Sequence, residues 1–376
     1  FDKTSGILKG DLIILGSGDP SLSSKYASGS ITEKWAAELY KLGLRAVEGE
    51  VIGDAGAFPK AIPANWLYED VSNYYGASVC ALNYSDNQFT LAFSSGETGS
   101  TASLTAMRPV YQGQPYLLTH SVLASGKSDE AYVYGDPGSF TRSVYGTIPA
   151  NRKNYEIEAA LPDPALLCAE NLLMSLKSKG VRCTKKASSR YSTPTKETRV
   201  LFYTHHSPSL QQLVHTTNQY SNNLYCEALR YLLGKGDGEK GLQEIKKFAA
   251  KNGVDTSALF IADASGLSRL NACTAESETL FLTSVLKKQK TGSVFLQSLP
   301  VAGRSGSLAS LGKGTLLENN LAAKSGYMTR ARAYTGYLKT RSGKELVFSV
   351  IINNFSCSGK AMKPKFEAFL LSLTEL

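Results

Sequence analysis

Long apolar runs are missing from this chain. The longest, around Leu12 to Leu15 and Leu346 to Ile352, have the length of strands and fall far short of the roughly 20 residues that cross a bilayer as a helix, so no transmembrane segment is expected. The six cysteines (Cys80, Cys168, Cys183, Cys226, Cys273 and Cys357) include no C-x-x-C pair, which excludes zinc ribbons and thioredoxin-type motifs. Mostly buried thiols are expected, although Cys168 and Cys183 lie on either side of a turn where one disulfide is conceivable in an oxidising compartment. Histidines are few (His120, His205, His206 and His215) and no carboxylate-rich cluster accompanies them, so neither a metal nor another cofactor is expected. The net charge of +9 favours anionic partners, yet the basic residues form only doublets such as Lys185-Lys186 and Lys246-Lys247. Without a basic stripe or base-stacking aromatics, nucleic acid is not an expected partner. Internal repeats and low-complexity tracts are absent too. The first residue is Phe1 and no leader pattern follows it, so any targeting peptide is expected to have been removed or left out.

What is present suffices for a large core: 376 residues, 42% of them hydrophobic, imply two or three domains. Residues 6–15 read as a strand, 33–42 as an amphipathic helix after Thr32, and 47–54 as a second strand, a β-α-β alternation. Short strands are expected over 79–84, 89–93, 116–122 and 131–134, then a helix over 164–179 stopped by Gly180. The polar stretch 185–196 reads as a linker at a domain boundary. Beyond it the pattern predicts a strand over 199–203, helices over 207–216, 223–233 and 239–252, a three-stranded meander over 321–328, 333–338 and 345–352, and a covering helix over 363–371.

Two short motifs carry chemistry. Tyr220-Ser221-Asn222-Asn223 falls at a helix start and Lys324-Ser325-Gly326 on a meander strand about a hundred residues later, resembling two of the three motifs of serine acyl-transferases that bind penicillin. On helical grounds alone, Ser221 is an N-cap and Asn223 a first-turn polar residue. Ser85-Asp86-Asn87 is a better literal S-D-N, but it falls in a turn between expected strands and precedes Lys324 by far too much. Flanking residues decide the matter: His205-His206-Ser207-Pro208-Ser209-Leu210, Tyr220 to Glu227, Asp263-Ala264-Ser265-Gly266-Leu267-Ser268-Arg269, Leu12 to Leu22, Trp66 to Asn83, Leu299 to Leu308 and Lys324 to Leu338 follow one family's order. The chain resembles the class C low-molecular-mass penicillin-binding proteins, peptidase family S13.

That resemblance implies an α+β architecture: a transpeptidase-like domain of antiparallel sheet and helices over 191–376, a second domain from 1–20 and 113–190, and a third nested within it over 21–112. It implies a serine-type D-alanyl-D-alanine carboxypeptidase and endopeptidase, working through an acyl-enzyme on peptidoglycan stem peptides, acylated by β-lactams and located in the periplasm or otherwise outside the cytoplasm. By the same resemblance, Ser221 relays a proton, Asn223 holds a substrate carbonyl, Lys324 and Ser325 take the substrate carboxylate, Gly326 admits its backbone, and Tyr327 offers an oxyanion N–H. Ser325 stands where Thr is usual, and Tyr327 where a smaller residue is usual. The family's third motif, S-x-x-K with the nucleophilic serine, belongs several tens of residues before Gly18-Asp19-Pro20, ahead of Phe1, so residues 1–376 alone are expected to be inactive. The strings Ser284 to Lys287 and Ser310 to Lys313 lie in the wrong order and read as coincidence. Two other readings stay open at this point: a non-catalytic peptidoglycan-binding scaffold that has lost its nucleophile, and a β-lactamase.

Overall fold

The computed structural model describes residues 1–27, 29–60, 62–127, 129–192 and 198–376. The chain divides into two compact units, one of Phe1–Ser207 with Glu227–Asp237, the other of Pro208–Cys226 with Gly238–Leu376.

In the first unit, strands β1 (Ile7–Leu8), β2 (Leu12–Leu15), β3 (Ala46–Val47) and β4 (Val51–Asp54) surround helix α1 (Ile31–Lys41) in sequence. Strands β5 (Gln88–Ser94), β6 (Ser103–Arg108), β7 (Leu117–Ala124), β8 (Tyr132–Tyr134), β9 (Thr141–Ile148) and β10 (Tyr155–Ala160) follow, then helix α2 (Pro164–Ser178) and the short β11 (Arg182–Cys183) and β12 (Ala187–Arg190). They form parallel sheets β12-β4-β2 and β1-β3-β11, an antiparallel sheet β10-β5-β6, and the mixed sheet β7-β9-β8. The expected strand over 6–15 is thus two strands in two sheets, broken where Gly10 turns the chain. Helix α1 is capped by Ser30, whose hydroxyl accepts from Glu33 N–H, and not by Thr32, which is buried.

Three expectations for this unit fail for identifiable reasons. Residues 79–84 are buried but form no strand, because Asn83 Oδ1 takes Cys80 N–H at 3.1 Å and Asn87 Oδ1 takes Tyr84 N–H at 2.9 Å, occupying donors that a ladder would use. Part of the expected linker is β12, hydrogen-bonded to β4, while 193–197 lie outside the described residues. Residues 199–203 form no strand; Arg199 instead reaches the buried Asp54, with Nη2 2.8 Å from Oδ2, alongside Arg190 Nε at 3.0 Å. All six cysteines are free thiols, so Cys168 and Cys183 are not bridged.

The second unit holds helices α3 (Leu210–Tyr220), the first residues of α4 (Asn223–Leu233), α5 (Gly238–Lys251), α6 (Ala275–Leu286) and α7 (Gln289–Ser298), then strands β13 (Leu321–Met328), β14 (Ala331–Lys339) and β15 (Glu345–Asn353) and helix α8 (Gly359–Ser372). The strands pair antiparallel in the order β13-β14-β15, as the alternating apolar pattern predicts. Leu321 and Ala323 of β13, Tyr334 and Leu338 of β14 and Phe348 of β15 pack on Phe366 and Leu370 of α8. Phe366 is fully buried against the Tyr334 ring, 5.1 Å away, and such burial stabilises by about 2–3 kcal/mol. Tyr337 instead faces α6 and α7, donating its hydroxyl to Leu282 O. Gly336 allows β14 to lie close to β13: a Cβ there would stand 2.2 Å from Ala322 O.

Candidate active site

The site forms where the α3–α4 corner meets β13, and each side is held independently. Helix α3 begins with a capping box between Ser209 and Gln212 and ends at Ser221, whose N–H donates to Thr217 O. Its last turn is fixed by Gln219 Nε2 donating to Ser298 O at 3.0 Å and Asn218 Nδ2 donating to Ser298 Oγ at 2.7 Å. Gly306 packs on the same turn with φ +55°, and a Cβ there would meet Gln219 O at 2.6 Å.

Ser221 is therefore the C-cap of α3 and not, as its position suggests, an N-cap of α4. Its backbone is left-handed (φ 53°, ψ 50°), a conformation that costs a non-glycine residue about 1–2 kcal/mol. The cap of α4 is Asn222, a buried residue whose Oδ1 accepts from Tyr225 N–H at 3.2 Å. Asn223 follows as the first helical residue, half-buried. Asn222→Ala is expected to cost about 1 kcal/mol of stability, read as a lower urea midpoint; an unchanged midpoint would contradict this assignment of the cap.

On the other side, the loop before β13 covers only the start of that strand. Ala302 N–H donates to Leu321 O at 2.9 Å and Ala323 N–H to Pro300 O at 3.0 Å, after which no strand pairs with this edge among the described residues. Because backbone groups alternate along a strand, the N–H groups of Ser325 and Tyr327 share the outward direction of Ala323 and face away from β14. Side chains alternate likewise, with Ser325 and Tyr327 on the face of Leu321 and Ala323, and Lys324 and Gly326 on the other. Gly326 and Tyr327 are exposed.

Lys324 Nζ donates to Ser221 Oγ at 2.7 Å, closing a contact between residues 103 apart in sequence, and to Ser325 O at 2.8 Å. Burial holds the Lys324 pKa below the ordinary lysine value of 10.5, opposed in part by the nearby Cys226. Ser325 Oγ lies 2.9 Å from Ser307 Oγ. Ser221, Lys324 and Ser325 thus form one hydrogen-bonded group beside an unpaired strand edge.

Some neighbours of this group were not foreseen from sequence. Thr335, directly opposite Lys324 on β14, and Ser349 beyond it on β15 both donate to Glu278 Oε2 of α6, Ser349 at 2.6 Å. Cys273 Sγ donates to Glu278 Oε1 at 3.2 Å, and burial beside that carboxylate pushes its thiol up to about 12. No short motif marks these residues; only the strand register reveals Thr335 and Ser349 in line with Lys324. Asp263 accepts from Gly266 N–H, Ser268 N–H and Asn271 Nδ2, so the flanking Asp263-to-Arg269 segment is a turn built around a buried carboxylate.

The decoys have structural explanations. Asp86 accepts from Ser24 Oγ and Lys25 N–H, and Asn87 Nδ2 donates to Ser78 O and Asn83 Oδ1, all in the first unit. Ser284 Oγ donates back to Phe281 O within α6, and Ser310 Oγ accepts from Lys363 Nζ; neither serine bonds to the lysine of its own string.

A model of the D-Ala-D-Ala carboxypeptidase 3 (S13) family matches residues 3–374. The chain is 28% identical over 370 residues to the D-alanyl-D-alanine carboxypeptidase of Actinomadura sp. (strain R39), an alignment covering 92% of this chain and 66% of that protein. It is 23% identical over 377 residues to the D-alanyl-D-alanine carboxypeptidase DacB of Haemophilus influenzae, covering 96% and 75%. The chain therefore spans just under two thirds of the first relative's length and three quarters of the second's. The crystal structure of penicillin binding protein 4 (dacB) from H. influenzae superposes with a TM-score of 0.81 at 20% identity, covering 99% of this chain and 83% of the other. The same protein complexed with a β-lactam superposes at 0.76 and 19%. The mixed helix and sheet architecture with its antiparallel meander is that fold.

Proposed function

The chain belongs to the D-Ala-D-Ala carboxypeptidase 3 (S13) family, and from that premise we propose that Ser221, Asn223, Lys324, Ser325, Gly326 and Tyr327 belong to a site that cleaves D-alanyl-D-alanine peptide bonds of peptidoglycan through an acyl-enzyme. The observation that carries the reading is the 2.7 Å bond from Lys324 Nζ to Ser221 Oγ beside an open strand edge. A peptide lies along that edge as an added strand, its terminal carboxylate taken by Lys324 and the Ser325 hydroxyl. The outward N–H of Tyr327 donates to the oxygen that becomes negative when the carbonyl carbon turns tetrahedral. Asn223 holds the substrate amide from the α4 side. When the C–N bond breaks, the departing D-alanine nitrogen receives a proton through Ser221 Oγ, which accepts from Lys324 while donating onward. The attacking serine comes from an S-x-x-K helix upstream of Phe1. Water then releases the acyl group, and cross-links ending in the same bond are substrates too. This work lies outside the cytoplasm, where peptidoglycan is; no helix among the described residues is long and apolar enough to cross a membrane. We also propose that residues 1–20 and 113–190 form a second domain and 21–112 a third nested within it, both inside the first unit, which further takes in 191–207 and 227–237.

The test is D-alanine release from an acyl-D-Ala-D-Ala peptide by the protein extended upstream of Phe1, followed across pH. Lys324 must be cationic to take the carboxylate, and burial holds its pKa below 10.5. Raising the pH therefore removes its proton earlier than from a free lysine, and kcat/KM is expected to fall on an alkaline limb below 10.5. A limb that stays flat to that pH, or no release of D-alanine at all, would contradict the reading.

A further inference from the structure

In the first unit, the sheet β7-β9-β8 buries one face and leaves the other open. Val122 and Ala124 of β7, Val144 and Ile148 of β9 and Val133 of β8 are buried. Strand alternation turns the odd-numbered residues of β7 and β9 and the even-numbered residues of β8 to the opposite face, and every one of them is Leu, Ser, Thr or Tyr. No charge stands on this face, although the chain carries 41 basic and 32 acidic residues.

Register orders these side chains. Tyr145 lies directly opposite Tyr132, Ser143 opposite Tyr134, and Thr119 beside Ser143, with the last two hydroxyls 3.0 Å apart. Tyr145, Tyr134 and Tyr68, the last from a turn outside the sheet, form a row of rings with centroids 5.9 and 6.4 Å apart. Tyr68, Tyr132 and Tyr145 are exposed, as are Leu117 and Leu123 at the two ends of β7. Such rings offer flat apolar platforms to solvent, and the hydroxyls between them both donate and accept. Burial, and then the nearby carboxylates of Glu130, Asp129 and Glu69, hold the Tyr132 hydroxyl above the ordinary tyrosine value of 10.0, so the charges bordering the face at this end are acidic.

We infer that this face binds a neutral chain of N-acetylated sugars, the glycan that carries the stem peptides. The inference rests on the function proposed above, which makes peptidoglycan the substrate. A pyranose ring is lined by C–H groups on its flat faces and by polar groups around its edge. It packs on a tyrosine ring while its hydroxyl and acetamido groups meet the serine and threonine hydroxyls. Where the sugars carry peptides, their carboxyl groups are in amide linkage, so the strand brings no charge to a face that offers none. Anionic lipid and nucleic acid need cations that this face lacks, and they meet the acids at its border. A second copy packed on the same face would bury serine and threonine hydroxyls against rings that cannot pair with them. The span from Leu117 to Leu123 is about 20 Å at the rise of a strand, enough for several sugar rings. Holding the polymer there raises the local concentration of its stem peptides.

The experiment titrates the protein extended upstream of Phe1 with the neutral tetramer of N-acetylglucosamine by calorimetry. It also follows D-alanine release from a free acyl-D-Ala-D-Ala peptide and from insoluble peptidoglycan. The wild type is expected to bind the tetramer saturably. Tyr132→Ser/Tyr145→Ser, which changes two exposed positions, is expected to weaken that binding by about tenfold. It should slow release from peptidoglycan by a similar factor and leave cleavage of the free peptide unchanged. Tyr132→Phe/Tyr145→Phe keeps the rings and should retain most of the affinity, which separates lost stacking from a disturbed fold. No binding of the tetramer by the wild type, or equal binding by the serine variant, would overturn the surface while cleavage of the free peptide still upholds the function. Self-association of the wild type that the serine variant abolishes, with no sugar bound, would overturn it in favour of a second copy. No D-alanine release from the free peptide would overturn the function instead, and the sugar titration would still decide the surface.

Discussion

Lys324→Ala, in the protein extended upstream of Phe1, is expected to slow acylation by benzylpenicillin and cleavage of D-Ala-D-Ala peptides by about 30- to 4,000-fold. Truncating one partner of a buried charge pair costs about 2–5 kcal/mol, and each 1.4 kcal/mol is roughly tenfold in rate. The ammonium is desolvated enough to lower its pKa, so in the free protein its charge is stabilised chiefly by Ser221 Oγ and Ser325 O. A substrate carboxylate arriving at that point gains a partner whose desolvation was met when the chain folded. Lys324→Arg keeps the charge but not the single-point donor that reaches Ser221, and is expected to recover substrate binding more than turnover. Acylation of Lys324→Ala at the wild-type rate would place the carboxylate site elsewhere.

Ser221→Ala is expected to cost about 10²- to 10⁴-fold in peptide turnover, the range for losing one positioned proton-transfer group. Two effects must be separated, because Ser221 occupies a left-handed backbone conformation and its hydroxyl also partners Lys324. Ser221→Gly removes the hydroxyl and relaxes the backbone together. If the residue serves chemistry, alanine and glycine lose turnover equally, while glycine alone raises the urea midpoint. If it is merely a turn residue, glycine is more stable and as active as wild type. Strain at a residue whose side chain meets the one lysine of the motif is where a serine is retained against its backbone preference.

The meander and the helix over 223–233 were legible because their patterns are strong: apolar residues at strand or helical spacing, bounded by turn residues. The residues 79–84 misled because burial of Val79, Cys80, Ala81 and Leu82 produces an apolar run, while the asparagines that replace a ladder act through geometry that spacing does not encode. In the site, the residue types of the two motifs were legible, but the corner that carries Ser221 was not. Asn222 and Ser221 are both good caps, and which one caps α4 depends on how Ser298 and Gly306 hold the end of α3, from about 80 residues away. Glu278 was invisible for a related reason. Its partners Thr335 and Ser349 belong to two strands that align only once the register of the sheet is set.

Intact mass before and after benzylpenicillin, on residues 1–376 and on the protein extended upstream of Phe1, locates the acylated serine. One penicilloyl adduct is expected on the extended protein, mapped upstream of Phe1 and strongly slowed by Lys324→Ala, with none on the shorter chain. An adduct on Ser284, Ser310 or any other residue of 1–376, or none on either protein, would contradict that placement.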